Sequence, residues 1–227
     1  MNFLPGWFPA GAAAARAVLS SIVQQASATS TGETITAPAD IIAGDLLVIA
    51  DKAQSTIGST PTAVTPSGFT SVANSSIGSS GSGTSWRQMF SYKIANGSEA
   101  NASITGMNGS ISDNKVMLVF RGNVPIQTAT PNTFGAQAVD TNPAAQSVTA
   151  SGGTPPLIIF GIYGSSTAVD PRTFTVGGSS AKDGEVNSGT VLYVAWKIDI
   201  SSPADASIDM DDEGNGNILQ SGYIALT

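Results

Sequence analysis

The sequence predicts an all-β protein: an antiparallel, jelly-roll-like β-sandwich made from two related β-repeats, preceded by a short helical arm. Three observations lead there. Apolar residues recur at every second position in several segments, Gly, Pro, Ser and Asn clusters separate those segments, and the second half of the chain repeats the segments of the first in the same order.

The repeat is clearest where Ser91–Ile104 (SYKIANGSEANASI) aligns without gaps with Ala195–Ile208 (AWKIDISSPADASI), identical at seven of fourteen positions. Around it, Leu46–Ile49 is matched with Leu157–Phe160, Gly68–Thr70 with Thr173–Thr175, and Val116–Phe120 with Gly222–Leu226. Trp86, Gln88, Phe90, Tyr92 and Ile94 fall on one face of a period-two segment, as do Leu192, Val194, Trp196, Ile198 and Ile200. Tyr92 and Trp196 are therefore expected to point into the core at equivalent places. The unbroken apolar runs at Leu46–Ile49 and Leu157–Ile162 suit central strands covered on both faces. The expected organisation is an arm at 1–26, one repeat at 27–122, a Pro-containing connector at 123–145 and a second repeat at 146–227, the repeats forming one compact body. Ser75–Ser85, rich in Gly and Ser, is expected to be an exposed loop.

The opening segment has large apolar residues at Phe3, Leu4, Trp7 and Phe8, then an Ala-rich stretch from Ala10 to Ala26. Ala favours helix, and Val18, Leu19, Ile22 and Val23 make a narrow apolar stripe at helical spacing. A helix this short needs a surface to pack on. These eight residues are the candidate interface, read as a docking arm for another subunit, the alternative being that the arm folds back on its own sandwich. Pro5, Pro9 and Arg16 interrupt the apolar stretch, unlike a secretory signal.

Composition narrows the chemistry. Charged residues are 11% of the 227, against about 25% in typical domains, and the net charge is −7 with a pI near 4.3. Nine scattered basic residues give no phosphate-binding surface, so neither nucleic acid nor an anionic membrane is an expected partner. No stretch reaches the roughly 20 apolar residues of a membrane span. The sequence has no Cys and no His, which removes disulfides, zinc–thiolate sites and His-based nucleophilic catalysis. No catalytic residue and no cofactor are expected.

The remaining candidates each have a plainer reading. Asp209, Asp211 and Glu213, with Gly214 at the sixth place, partly match a calcium loop, but the twelfth place is Gln220 and no flanking helices are predicted, so a solvated turn is expected. Asp51, Asp170, Asp183 and Glu185 supply carboxylates for glycoside hydrolysis, yet no spacing singles out a pair. Trp86, Tyr163 and Tyr193 offer sugar-stacking faces, although strand aromatics mostly fill cores or contacts. The Asn-X-Ser triplets at Asn74, Asn96, Asn101 and Asn108 are expected by chance in so Asn- and Ser-rich a chain. Arg121 and Arg172 are candidates for pairing with a carboxylate at a subunit boundary.

Gly44-Asp45-Leu46-Leu47-Val48-Ile49, Pro66-Ser67-Gly68-Phe69-Thr70, Ser91-Tyr92-Lys93-Ile94-Ala95 and Leu118-Val119-Phe120-Arg121-Gly122 together resemble a group of tail-associated and minor virion proteins of bacteriophages and prophages. Leu4-Pro5-Gly6-Trp7-Phe8-Pro9 is similar to an N-terminal peptide of some of them. The resemblance covers the arm and first repeat, and its motifs mark a strand order with no catalytic residues to transfer. It implies a non-enzymatic virion protein: a tail, fibre or spike component contacting other virion proteins through its arm, homo-oligomeric and expected as a trimer. Alternatives are a capsid decoration protein or a secreted or surface carbohydrate-binding module, with a host-surface glycan as possible ligand.

Overall fold

A computed structural model describes residues 17–27, 34–55, 59–80, 84–106, 112–122, 125–139, 146–148, 157–164, 174–176, 182–188, 192–198, 206–210 and 217–226. Among them regular structure is all strand: β1 (Ala17–Ser27), β2 (Thr34–Thr36), β3 (Leu46–Ser55), β4 (Thr70–Ser80), β5 (Thr84–Ile94), β6 (Ser103–Thr105), β7 (Ser112–Gly122), β8 (Ala129–Val139), β9 (Gln146–Val148), β10 (Leu157–Gly164), β11 (Phe174–Val176), β12 (Gly184–Ser188), β13 (Leu192–Ile198), β14 (Ala206–Met210) and β15 (Asn217–Leu226). The all-β expectation therefore stands, and all pairings among the described residues are antiparallel.

Two five-stranded sheets dominate. One has the order β1-β7-β3-β5-β4, the other β12-β13-β10-β15-β8. Read from its β8 edge, the second sheet repeats the first, with β8 in the place of β1, β15 of β7, β10 of β3, β13 of β5 and β12 of β4. The small pairs match too, since β2 pairs with β6 and β9 with β14, while β11 adds a further strand beside β14.

Registers refine the sequence alignment. Tyr92 lies opposite Val48 and Trp196 opposite Phe160. Leu46, paired with Ile94 and Phe120, thus corresponds to Ile158, paired with Ile198 and Ile224. The gapless match of Leu46 with Leu157 is off by one residue, and that of Phe120 with Leu226 by two. Apolar runs slide along each other without penalty in sequence, whereas ladder partners fix the step.

The core has two main layers. Leu46, Val48, Ala50, Phe90, Val116, Leu118 and Phe120 from the first sheet form one cluster with Ile158, Val186, Leu192, Val194, Trp196 and Ile224 from the second, and Tyr92 packs against it. Phe120 meets Trp196 edge-on at 6.3 Å between ring centroids. On the other face of the first sheet, Leu47, Ile49, Met117 and Val119 pack under Ile35 of β2 and Ile104 of β6. Burial on both faces explains why Leu46–Ile49 is apolar without alternation.

Three expectations are corrected. Of the Ala10–Ala26 stretch, read as a helix carrying Val18, Leu19, Ile22 and Val23, residues 10–16 lie outside the described residues and the rest belongs to strand β1, paired along β7. Its β-branched residues suit a pleated edge, and ladder pairing outweighs the modest helix preference of its alanines. Within 123–145, read as a connector, β8 forms the edge of the second sheet, and Pro131 fits because an edge strand can spare an amide. Within Ser75–Ser85, read as a loop, Ser75–Ser80 continues β4 and Thr84–Ser85 opens β5.

Register shifts fall on the outer strands. β1 holds one extra residue between Leu19 and Ser21, β4 extra residues between Ser71 and Ala73 and between Ile77 and Ser80, and β8 one opposite the step from Ser221 to Tyr223. The fourth outer strand, β12, has only five residues.

Candidate functional site

Three groups of described ionic side chains lie on the first sheet, besides the Lys182–Glu185 and Lys197–Asp183 pairs of the second. At the start of β3, Asp45 is 1% exposed and held by Arg121 from the end of β7, Nε donating to Oδ1 at 2.8 Å and Nη2 to Oδ2 at 2.7 Å. The same Nη2 donates to the Asp40 carbonyl at 2.6 Å, and the Ile42 amide donates to Asp45 Oδ2 at 2.9 Å. Gly44, at φ +87°, brings the chain against Pro125, where a Cβ would stand 2.6 Å from the Pro125 Cβ. Arg121, expected as a candidate for a subunit boundary, instead closes an ion pair within its own chain, because β3 and β7 are neighbours and place the two ends together.

The second group surrounds the turn after β5. Glu99 Oε2 accepts from the Asn96 and Gly97 amides at 3.1 and 3.0 Å, and Oε1 pairs with Lys93 at 2.7 Å. Burial opposes ionisation of Glu99, but the Lys93 ammonium and the turn amides outweigh it and hold the carboxyl below its ordinary value. Lys93 also lies 5.9 Å from the centre of the Phe69 ring. Phe69, Lys93 and Glu99 line a cleft of about 410 Å³ together with the hydroxyl-bearing Thr65, Ser67, Ser98 and Thr105.

The third group is buried inside strands. Lys115 on β7 lies opposite Asp51 on β3, its Nζ 3.8 Å from Asp51 Oδ1 and in contact with Asp113 Oδ2. On the other face of the same strands, toward the second sheet, Lys52 is fully buried and donates to Gln54 Oε1 at 3.4 Å. Burial lowers its pKa from 10.5 to about 8, partly offset by the Asp113 charge. Asn114, beside it in register, donates across to the Ser188 carbonyl of β12 at 3.2 Å and so ties the two sheets.

The sequence candidates are scattered. Phe3, Leu4, Trp7, Phe8, Asp170, Arg172, Asp211, Glu213 and Asn108 lie outside the described residues. The backbones of Val18, Leu19, Ile22 and Val23 lie opposite Arg121, Phe120, Leu118 and Met117. Asp209 lies on β14 opposite Thr175, and among the described residues no group of three or more potential ligands gathers for a metal. Asp183 accepts from the Ile198 amide at 2.5 Å, while Glu185 accepts from Lys182 at 2.5 Å and from the Tyr193 hydroxyl. Asp51 lies in the buried group, on another sheet. Trp86 and Tyr193 are buried, which leaves neither as a sugar-stacking face. Asn101 takes φ +59°, a conformation Asn tolerates at a turn.

Sequence reasoning passed over Lys93, Glu99, Lys52, Asp113 and Lys115. The available signal was charge inside apolar strands, at period two in Asp113-x-Lys115 before Val116–Phe120 and at adjacent positions in Asp51-Lys52 after Leu46–Ala50. Among the described residues no helix is long and apolar enough to cross a membrane. The fold and the three groups define an all-β protein with antiparallel sheets whose described charges mostly brace its own strands and turns. Comparison with protein-family models, curated proteins and solved structures returned no match.

Proposed function

We propose that this chain is a non-enzymatic structural protein of a bacteriophage particle, a tail, fibre or spike component attached through its N-terminal segment. Its body is read as a β-sandwich of two related units about an internal dyad. The matching strand orders support that reading, as do the contacts of β4 with β8 and of β1 with β12, which are equivalent under the exchange of units.

The observation that carries the functional reading is where the virion-like motifs fall. Asp45 of the first and Arg121 of the last form one clamp, Gly68 takes φ +76° in a turn, Phe69 packs on the inner cluster, and Lys93 anchors the Glu99 turn. The residues that carry the resemblance thus serve the scaffold, which supports the reading of a protein whose role is shape. The test is co-purification with intact particles through a density gradient, with antibody–gold labelling in electron microscopy. Label on tails supports the proposal, label on capsid faces moves it to decoration, and absence from particles refutes it. Sedimentation of the purified chain tests the trimer. Because β1 begins at Ala17, docking is tested by deleting residues 1–16, and normal incorporation of that variant removes the arm from the proposal.

A glycan-binding reading is favoured by the hydroxyl-lined cleft around Phe69, Lys93 and Glu99. Its check is a glycan array read against Lys93→Ala, and equal signals from both proteins dismiss it.

A further inference from the structure

Lys115 is an amine held between two carboxylates with almost no access to water. The exposures of Lys115, Asp51 and Asp113 are at most 1%. Asp113 precedes Lys115 by two positions on β7, which puts both on one strand face, and Asp51 faces them from β3. Gly106 seals the site, since a Cβ there would stand 1.9 Å from Asp51 Oδ2 and 2.5 Å from Lys115 Cε. Two carboxylates against one ammonium is a costly set to bury as ions.

We propose that Lys115 and Asp113 become joined by an isopeptide bond, with Asp51 carrying the proton. The ammonium first gives a proton to the Asp113 carboxylate, leaving a neutral amine and a neutral acid. The amine nitrogen then bonds to Asp113 Cγ while Asp51 takes its second proton. Asp51 returns that proton to the Cγ hydroxyl, the C–O bond breaks, and one water leaves. The ammonium thus loses two protons and the carboxylate one oxygen, and the product is a neutral secondary amide. Contact between the groups replaces a bimolecular encounter, a positioned carboxylate serves as acid and base, and scarce water slows hydrolysis. Asp113 is the electrophile because its carboxylate touches the amine, whereas Asp51 Oδ1 is 3.8 Å away.

Mass spectrometry of the full chain decides the matter. The intact mass is expected to fall short of the sequence mass by one water, and trypsin acting on the unfolded chain should fail to cut after Lys115. The diagnostic product is a peptide spanning 94–121 that lacks one water. Lys115→Arg should restore both full mass and cleavage, and Asp51→Asn should leave the bond unformed. Since either variant risks misfolding, the wild-type peptide map decides alone. Full mass with ready cleavage after Lys115 overturns the proposal, leaving only an ion cluster. Loss of water with cleavage after Lys115 indicates a succinimide at Asp113-Asn114 and also overturns it. A product joining residues 17–52 to 94–121 assigns the bond to Asp51 and overturns the Asp113 pairing.

Discussion

Arg121 shows how one side chain ties distant parts of the chain. Its planar fork meets both Asp45 oxygens and reaches the Asp40 carbonyl, so removal strands a carboxylate that is 1% exposed. Because the Arg121 side chain is 33% exposed, water relieves part of that loss. Arg121→Ala is expected to lower stability by about 2 kcal/mol in urea denaturation, and Arg121→Lys to recover little, because an ammonium lacks the fork. Lys52 makes a prediction about pH. Its folded pKa of about 8 lies below 10.5, so the unfolded chain holds more protons between those values. Its contribution to stability should therefore rise from pH 8 to 10.5, so wild type should gain stability relative to Lys52→Met over that window. Glu99 acts in the opposite direction. Its depressed folded pKa gives stability that is full above 4.5 and lost as acid takes the pH through the lower folded value, a loss that Glu99→Gln should not show. None of these partnerships is legible from composition, because Asp45 and Arg121 stand 76 positions apart and meet only once β3 and β7 pair.

Alternation inside single strands was readable. Phe90, Tyr92 and Ile94, and Leu192, Val194, Trp196 and Ile198, share the faces that period two assigns them. Outer strands were harder to see, since β1 reads as helix and β4 as loop when taken alone. Ala and Ser carry little strand preference, and a neighbouring ladder supplies what they lack. β1 covers the open side of β7, and this sets the outcome of truncation. Removal of residues 1–27 uncovers the β7 edge and should lower Tm by roughly 5–10 °C, with association visible by size exclusion.

Across the whole molecule, the shared cluster makes the two sheets depend on each other. Trp86 is fully buried in the first sheet and Trp196 nearly so in the second, where it meets Phe120 across the interface. Urea unfolding followed by fluorescence in Trp86→Phe, and separately in Trp196→Phe, should agree with circular dichroism of the same variant in each case. Two separated midpoints within one variant would show that the halves unfold independently. The repeated strand order was visible in sequence through Lys93-Ile94 and Lys197-Ile198, while the one- and two-residue offsets were not.

The surplus residues in β1, β4 and β8, with the shortness of β12, bear on how copies of the chain meet one another. A rim thrown out of step cannot extend its hydrogen-bond ladder evenly into an adjacent molecule. Crowded copies are thereby steered toward side-chain contacts of limited extent, and cross-β stacking is denied a regular template to grow from.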